Sequence, residues 1–294
     1  MREVPTDRSE TFQQYRPLLF SIAYRMLGSV ADAEDIVQEA FVRWRQVSGT
    51  EVRSPKSYLS AVVTRLSIDH LRSARVRREE YVGPWLPEPL LTGGSLDGAE
   101  TIDLEETLSM AFLLLLESLT PVERAVFLLR EVFDYDYGEI SRIVARDEAN
   151  CRQIARRARE SVAARRPRFK ISAEQEERLV GSFLEACSEG KMESLLALLS
   201  EDVVLWSDGG GKSRAALNPI HGSERVSRFL LGILGKTPPS FSTRIAWING
   251  HLGIIGYVGG QPMSAVALDA AEGRIQTIRI VVNPEKLRNI PPLS

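Results

Sequence analysis

The hydrophobic period changes once along this chain of 294 residues, near residue 172. Before that point apolar residues recur every three or four positions, as on amphipathic helices. After it, two short helical stretches give way to apolar or alternating runs of strand length. Such a chain cannot fold as one all-α bundle or one all-β sandwich. Its length suits about two domains, with room for a third small one.

Leu18, Leu19, Ile22, Ala23, Met26 and Leu27 follow helical spacing. Gly28-Ser29 interrupts them, and Asp32 is the expected N-cap of a helix to about Gln46. That helix carries Ile36, Val37, Ala40, Phe41 and Trp44. A polar loop over Ser48 to Ser54 precedes a helix opened by Pro55, with Tyr58, Leu59, Val62, Val63, Leu66 and Leu71. Residues 82–104 are rich in Gly and Pro and read as a linker, yet they contain Trp85, Leu86, Leu90 and Leu91. A passive tether is polar, so this one is expected to dock onto a surface. A second helical module starts at about Leu104, with Leu108, Ala111, Phe112, Leu115 and Leu119 as one stripe. Thr120-Pro121-Val122-Glu123 is a capping-box helix start. A short helix from about Tyr137 to Val144, a turn at Arg146-Asp147 and a basic helix from Glu148 to Ala164 form a helix-turn-helix pattern. Beyond residue 172, Leu179, Val180, Phe183, Leu184 and Cys187 share a helical face, and Met192 to Leu199 is a second helix. Antiparallel-type strands are expected at 203–206, 242–248, 252–257, 263–268 and 274–282, giving a small α+β domain. The expected domains are therefore 8–81, a linker 82–104, 105–168 and 172–294.

The net charge is −2, but the charge is segregated. Arg65, Arg72, Arg75, Arg77 and Arg78 face only Asp69 over their stretch. Arg152, Arg156, Arg157, Arg159, Arg165, Arg166, Arg168 and Lys170 face only Glu160. From Glu79 to Glu123 there are ten acids and no Lys or Arg. Two basic surfaces joined by an acidic strap predict two DNA contacts and a connector that avoids DNA; ordinary solvated helix faces are the plainer reading. Cys151 and Cys187 make no disulfide framework, and with three histidines they make a poor metal set, so no metal or cofactor is expected. No apolar run approaches the ~20 residues of a membrane span, and the polar N-terminus MREVPTDRSE does not resemble a secretory signal. A cytoplasmic protein without a membrane partner is expected.

The segment Asp32-Ala-Glu-Asp-Ile-Val-Gln-Glu-Ala-Phe41 resembles the helix with which extracytoplasmic-function (ECF) sigma factors grip RNA polymerase. The resemblance implies that Asp35, Gln38 and Glu39 contact the clamp helices of the β′ subunit of the polymerase core. These residues and Val42 fall on one side of a helix. Tyr58 to Arg72 is similar to the sigma helix that recognises the near-start promoter element, preceded by a base-capturing loop, here Ser48 to Ser57. Relatives commonly have Asn where Arg65 stands. The resemblance gives promoter DNA contacts to Arg65, Arg72, Arg75, Arg77 and Arg78, chiefly on phosphates. The helix-turn-helix resembles the sigma domain that reads the upstream element. Asn150, Arg152, Gln153 and Arg156 are expected at base edges, and Arg157 and Arg159 at phosphates.

Three further motifs narrow the resemblance: Trp85-Leu86-Pro87-Glu88-Pro89, Asp208-Gly209-Gly210-Gly211-Lys212 and Asn283-Pro284-Glu285-Lys286-Leu287. They are similar to a sigma subgroup carrying a fused SnoaL-like domain, whose members usually have Asp where Glu285 stands. The implied fold is multidomain: two all-α sigma domains, the second with the helix-turn-helix, and a C-terminal α+β SnoaL-like cone. The implied role of the extra domain is control of the sigma domains in cis, through contacts of these three motifs. The glycine triplet lacks the spacing of a nucleotide loop and is expected to lie against a sigma domain or the linker.

Two other readings compete. A helix-turn-helix repressor or activator with a ligand-sensing domain explains residues 104–294 but not the acidic helix. A cyclase-like enzyme requires polar pocket residues, for which Asp208, His221, His251 and Arg279 are candidates beside Trp206; lone histidines are more commonly structural, and no catalytic residue is expected. The cone leaves room for an unidentified small ligand.

Overall fold

A computed structural model describes residues 8–47, 52, 54–79, 81–93, 107–164 and 172–293, with only the backbone of 74–79. The expected base-capturing loop falls largely outside them. The chain divides into two compact units, Met1–Glu79 with Leu113–Arg166, and Glu80–Phe112 with Pro167–Ser294.

In the first unit, α1 (Arg8–Leu27), α2 (Val30–Gln46) and α3 (Pro55–Glu79) pack on one another. Phe12, Leu19, Ile22, Ala23, Met26 and Leu27 of α1 are buried, as are Ala33, Ile36, Val37, Ala40 and Trp44 of α2. The turn between them needs Gly28, at φ 68°. Ser29, and not the expected Asp32, caps α2: its hydroxyl accepts from the amide of Asp32 at 3.2 Å. The Asp32 side chain lies instead 3.5 Å from His70.

The second helical module is shorter at its start than its apolar stripe suggested. Residues 107–109 and 117–119 are turns and bends, leaving α4 as Met110–Leu116. Then follow α5 (Pro121–Glu131), α6 (Tyr137–Val144) and α7 (Glu148–Ala163). Each start has its own cap: Thr120 with Glu123, Asp136 with Glu139, and Asp147. Ala145, at φ 53°, ends α6, and Ser141 receives the amide of Arg146. Val126, Leu129, Tyr135, Ile140, Ile143, Cys151, Ile154 and Ala155 form the shared core of this helix-turn-helix.

The second unit contains α8 (Ala173–Glu189), α9 (Met192–Leu198), β1 (Leu199–Asp208), β2 (Ile220–His221), α10 (Ser223–Leu234), β3 (Phe241–Ile248), β4 (His251–Val258), β5 (Gln261–Ala271) and β6 (Arg274–Val281). The sheet order is β2-β1-β6-β5-β4-β3. The expected antiparallel sheet is therefore mixed: β1 pairs with β6 in parallel. The chain leaves β1 through α10 and the β3–β5 meander before β6 returns beside it, a crossover long enough for parallel pairing. Val180, Phe183 and Ala186 of α8, Leu195 of α9 and Val226 and Leu230 of α10 bury one sheet face. They pack on Val203, Leu205, Ile254, Leu268, Ile278 and Ile280. This layer of helices over a single sheet is the α+β cone expected of the C-terminal domain.

Candidate functional site

The segment read as a linker is part of the second unit's structure. Leu86, Pro87, Glu88 and Pro89 are buried. Leu91 bridges to Ile248, the amide of Thr92 donates to the carbonyl of Trp247 at 3.0 Å, and the amide of Asn249 donates to that of Leu90 at 2.8 Å. The Asn249 side chain accepts from the Leu90 amide and donates to the Leu108 carbonyl, so Leu90 within the segment and Leu108 beyond it are tied to the one turn between β3 and β4.

Its anchor is Asp208, whose side chain is fully buried. Side chains alternate along a strand. Ser207 faces the helices, so Asp208 points to the opposite face. There one carboxylate oxygen accepts from the Tyr81 hydroxyl at 2.6 Å. The other accepts from the Leu86 amide at 2.8 Å and Lys286 Nζ at 2.7 Å. Lys286 also donates to the Leu86 carbonyl at 2.5 Å and lies 4.4 Å from the centre of the Trp85 ring. A carboxylate taken out of water must have such donors, one of them cationic. Asn283 donates to the Tyr81 hydroxyl at 3.0 Å, and its amide and that of Val282 donate to the Asp208 carbonyl. Burial, and then the bond to Asp208, push the Tyr81 phenol well above its ordinary pKa.

The glycine triplet is explained by its surroundings: a side chain at Gly209 would lie 2.3 Å from the Ser213 carbonyl oxygen, and Gly211 has φ 70°. Gly210 has φ 57°, and a side chain there would run into Asn283 and lie 2.8 Å from the Tyr81 hydroxyl. Beyond it, Lys212 pairs with Glu285 on the surface, lowering the Glu285 carboxyl pKa. Asn289 donates to buried Glu88 at 2.7 Å, and Leu287 is buried. Pro284 is exposed. Residues 85–89, 208–212 and 283–287 thus meet around one buried ion pair. Tyr81, just outside these motifs, is the member that sequence reasoning missed; an aromatic residue beside an apolar linker was its only signal.

The candidate catalytic residues Asp208, His221, His251 and Arg279 do not line the cone's cavity. It lies between the sheet and α8 and α10, and Cys187 and Arg214 are the titratable residues in its wall. Burial holds the Cys187 thiol up to about 12, so it stays protonated. Trp206, Asp208 and Arg279 are displaced from the lining by strand parity: Ser207 and Ile280 line it instead. Arg279 pairs with Asp269, His251 lies 3.1 Å from Glu176, and His221 sits exposed on the short β2.

In the first unit, Asp35, Gln38, Glu39 and Val42 form an exposed strip on α2, opposite its buried face. Val42 is 44% exposed, an apolar residue left in water within a polar strip. Glu39 is also 2.8 Å from Arg43. On α3, Arg65 donates to the carbonyls of Arg142 at 2.6 Å and Ile143 at 2.9 Å, at the C-terminal end of α6. The Tyr135 hydroxyl donates to Ser60 at 2.6 Å, and Ser57 to Glu139 at 3.0 Å. The two helical modules are thereby locked together along α3 and α6. Arg72 pairs with Asp69. Arg75, Arg77 and Arg78 lie on α3, but their side chains fall outside the described residues, as do Arg165, Arg166, Arg168 and Lys170. On α7, Arg152, Gln153, Arg156, Arg157 and Arg159 are exposed and Asn150 is half-buried. Arg152 pairs with Glu148 and Arg159 with Glu131, which raises the Arg159 pKa.

Comparison with known proteins accounts for this arrangement. Residues 11–77 match the family model for sigma-70 region 2, and residues 109–162 that for sigma-70 region 4. The chain is 35% identical over 295 residues to the ECF RNA polymerase sigma factor SigJ of Mycobacterium tuberculosis, covering 95% of this chain and 93% of that protein. It is 30% identical to the probable ECF RNA polymerase sigma factor SigI of the same species, covering 95% and 94%. The crystal structure of SigJ superposes with a TM-score of 0.73 at 33% identity, over 94% of this chain and 96% of that one, so the match includes the C-terminal domain. With both sigma modules in order and similarity over nearly the whole length, this chain belongs to the family of ECF RNA polymerase sigma factors.

Proposed function

We propose that the chain binds core RNA polymerase, directs initiation at promoters with two elements, and is held in check by its own C-terminal domain. The strip Asp35, Gln38, Glu39 and Val42 offers acids, an amide and one apolar contact to the clamp helices of the β′ subunit. Arg72, Arg75, Arg77 and Arg78 serve the near-start element, and Arg65 joins them once it leaves the carbonyls at the end of α6. Asn150, Arg152, Gln153 and Arg156 serve base edges upstream, with Arg157 and Arg159 on phosphates. The chemistry is non-covalent: binding energy positions the two modules on one duplex and helps open it.

The observation that carries the regulatory part is the Asp208–Lys286 anchor. The segment joining the two sigma modules is built into the C-terminal domain by Trp85 to Pro89. Both promoter elements must be engaged at once, so the span allowed to that connector limits activity. A docked linker restrains it; a released linker frees it. The test is reconstituted transcription with core polymerase and full-length Lys286→Met, which leaves Asp208 without its cation. Release should raise promoter transcription several-fold while affinity for the core is unchanged. Transcription equal to or below wild type, with the linker shown to be undocked, would overturn cis inhibition.

A further inference from the structure

We infer that the cavity of the C-terminal cone binds an amphipathic carboxylic acid with a medium-length alkyl body, and that occupancy acts on the linker anchor. The cavity has a volume of about 340 Å³. Protein interiors contain few voids larger than a water molecule, and this volume falls in the range of small-molecule sites. Its depth is apolar, with Phe183, Leu230, Ile254 and Ile280 in the wall. Cys187 contributes there as a protonated, apolar thiol.

The mouth has a different character. Ile233 and Met263 of the lining are exposed, at 39% and 37%, and so are Arg214 and Thr243. Arg214 has no ion-pair or hydrogen-bond partner among the described residues. An apolar interior beneath an unpaired guanidinium selects a molecule with an apolar body and one anionic end, for which a carboxylate is the fork-shaped match. On the sheet side, in the cross-strand row of Thr243, Gly256 and Ser264, Gly256 lets its neighbours close in: a side chain there would lie 2.5 Å from the Ser264 hydroxyl and 2.9 Å from the Phe241 ring.

Wall and anchor share backbone. Ser207 of the wall precedes Asp208, Val282 precedes Asn283, and Ser213 follows Lys212. A ligand that shifts these wall residues shifts the groups that hold Tyr81, Leu86 and Trp85. This coupling rests on the regulatory reading above; the binding site does not.

Isothermal calorimetry of the full-length chain with sodium decanoate, and with decan-1-ol as its neutral match, tests the site. Saturable one-to-one binding of decanoate is expected. Arg214→Gln should weaken decanoate by about tenfold and leave decanol unchanged. Ile233→Trp adds bulk at the exposed mouth, where it does not strain the core, and should weaken both; thermal melts establish that each variant is folded. Absence of saturable binding by either compound overturns the site. Full decanoate affinity in Arg214→Gln overturns the carboxylate, and full affinity in Ile233→Trp overturns the location. Hydrogen exchange of the Leu86 amide should accelerate at saturating decanoate; unchanged exchange overturns the coupling, whereas failure of cis inhibition itself is read separately, from Lys286→Met transcription.

Discussion

Replacing Asp208 by Asn keeps the shape of the side chain and removes its charge, which isolates the anchor's electrostatics. The carboxylate accepts three hydrogen bonds, from Tyr81, the Leu86 amide and Lys286. Asn has one acceptor oxygen, so at least one of these donors loses its partner. A hydrogen bond to a charged group is worth about 1.5–3 kcal/mol, and a buried donor left unpaired costs about 1–3 kcal/mol. Breaking one side of a buried ion pair typically costs about 3–5 kcal/mol. The Lys286 side chain keeps 12% exposure and its bond to the Leu86 carbonyl, so the low end applies, about 3 kcal/mol. Native-state hydrogen exchange reads this directly. The Leu86 amide should exchange on the order of a hundredfold faster in Asp208→Asn. The Leu90 amide, bonded to Asn249, should accelerate with it, because the segment opens as a piece. Amides of β4 and β5 should be unchanged. The double variant Asp208→Asn/Lys286→Met should lose less than the sum of the single variants, since it strands no buried charge. An increase at Leu86 below tenfold, or an equal increase throughout the sheet, would refute the assignment of Asp208 as a local linker anchor.

Arg65→Ala removes two hydrogen bonds and a cation from the C-terminal end of α6. Calorimetry should show the helical unit melting several degrees lower, a loss of about 1–2 kcal/mol, with Arg65→Lys recovering only part because an ammonium cannot fork. Replacing Arg152 or Arg156 should relax upstream base preference by about 1–3 kcal/mol per lost contact in promoter-binding titrations, whereas equal weakening on all sequences would mark phosphate contacts. Tyr81 has a raised folded-state pKa, so its contribution is complete below the unfolded value, near 10, and is lost as pH rises through that value toward the folded one. Urea midpoints of the wild type should therefore fall more steeply from about pH 9 to 11 than those of Tyr81→Phe.

The sequence reveals those features whose causes are local. The start of α6 at Asp136 and that of α7 at Asp147 lie where the capping residues stand, and the helix-turn-helix is legible from them alone. At Ser29 a nearer hydroxyl, presented by the turn at Gly28, takes the cap from Asp32. The parallel pairing of β1 with β6 is not legible, because it joins strands some seventy residues apart and depends on the intervening meander. The docking of the linker is signalled by its apolar residues in a Pro-rich segment, and the resemblance groups it with residues 208–212 and 283–287, but the turn at Asn249 that also holds it carries no such signal. For the cavity, parity was the overlooked signal. Val203 and Leu205 mark the inward face of β1, and Ile278 and Ile280 that of β6. Trp206, Asp208 and Arg279 alternate with them and so face outward. The same alternation places Ser207 in the cavity wall and Asp208 on the linker, one residue apart.

The exposed strip of α2 is the proposed grip on the polymerase. The direct measurement is the affinity of the full-length chain for purified core enzyme, with Glu39→Lys beside the wild type. Wild-type binding that saturates at one chain per core, and falls by at least about tenfold in Glu39→Lys with the fold intact, is the expected result. No binding by the wild type, or equal binding by both, would contradict it.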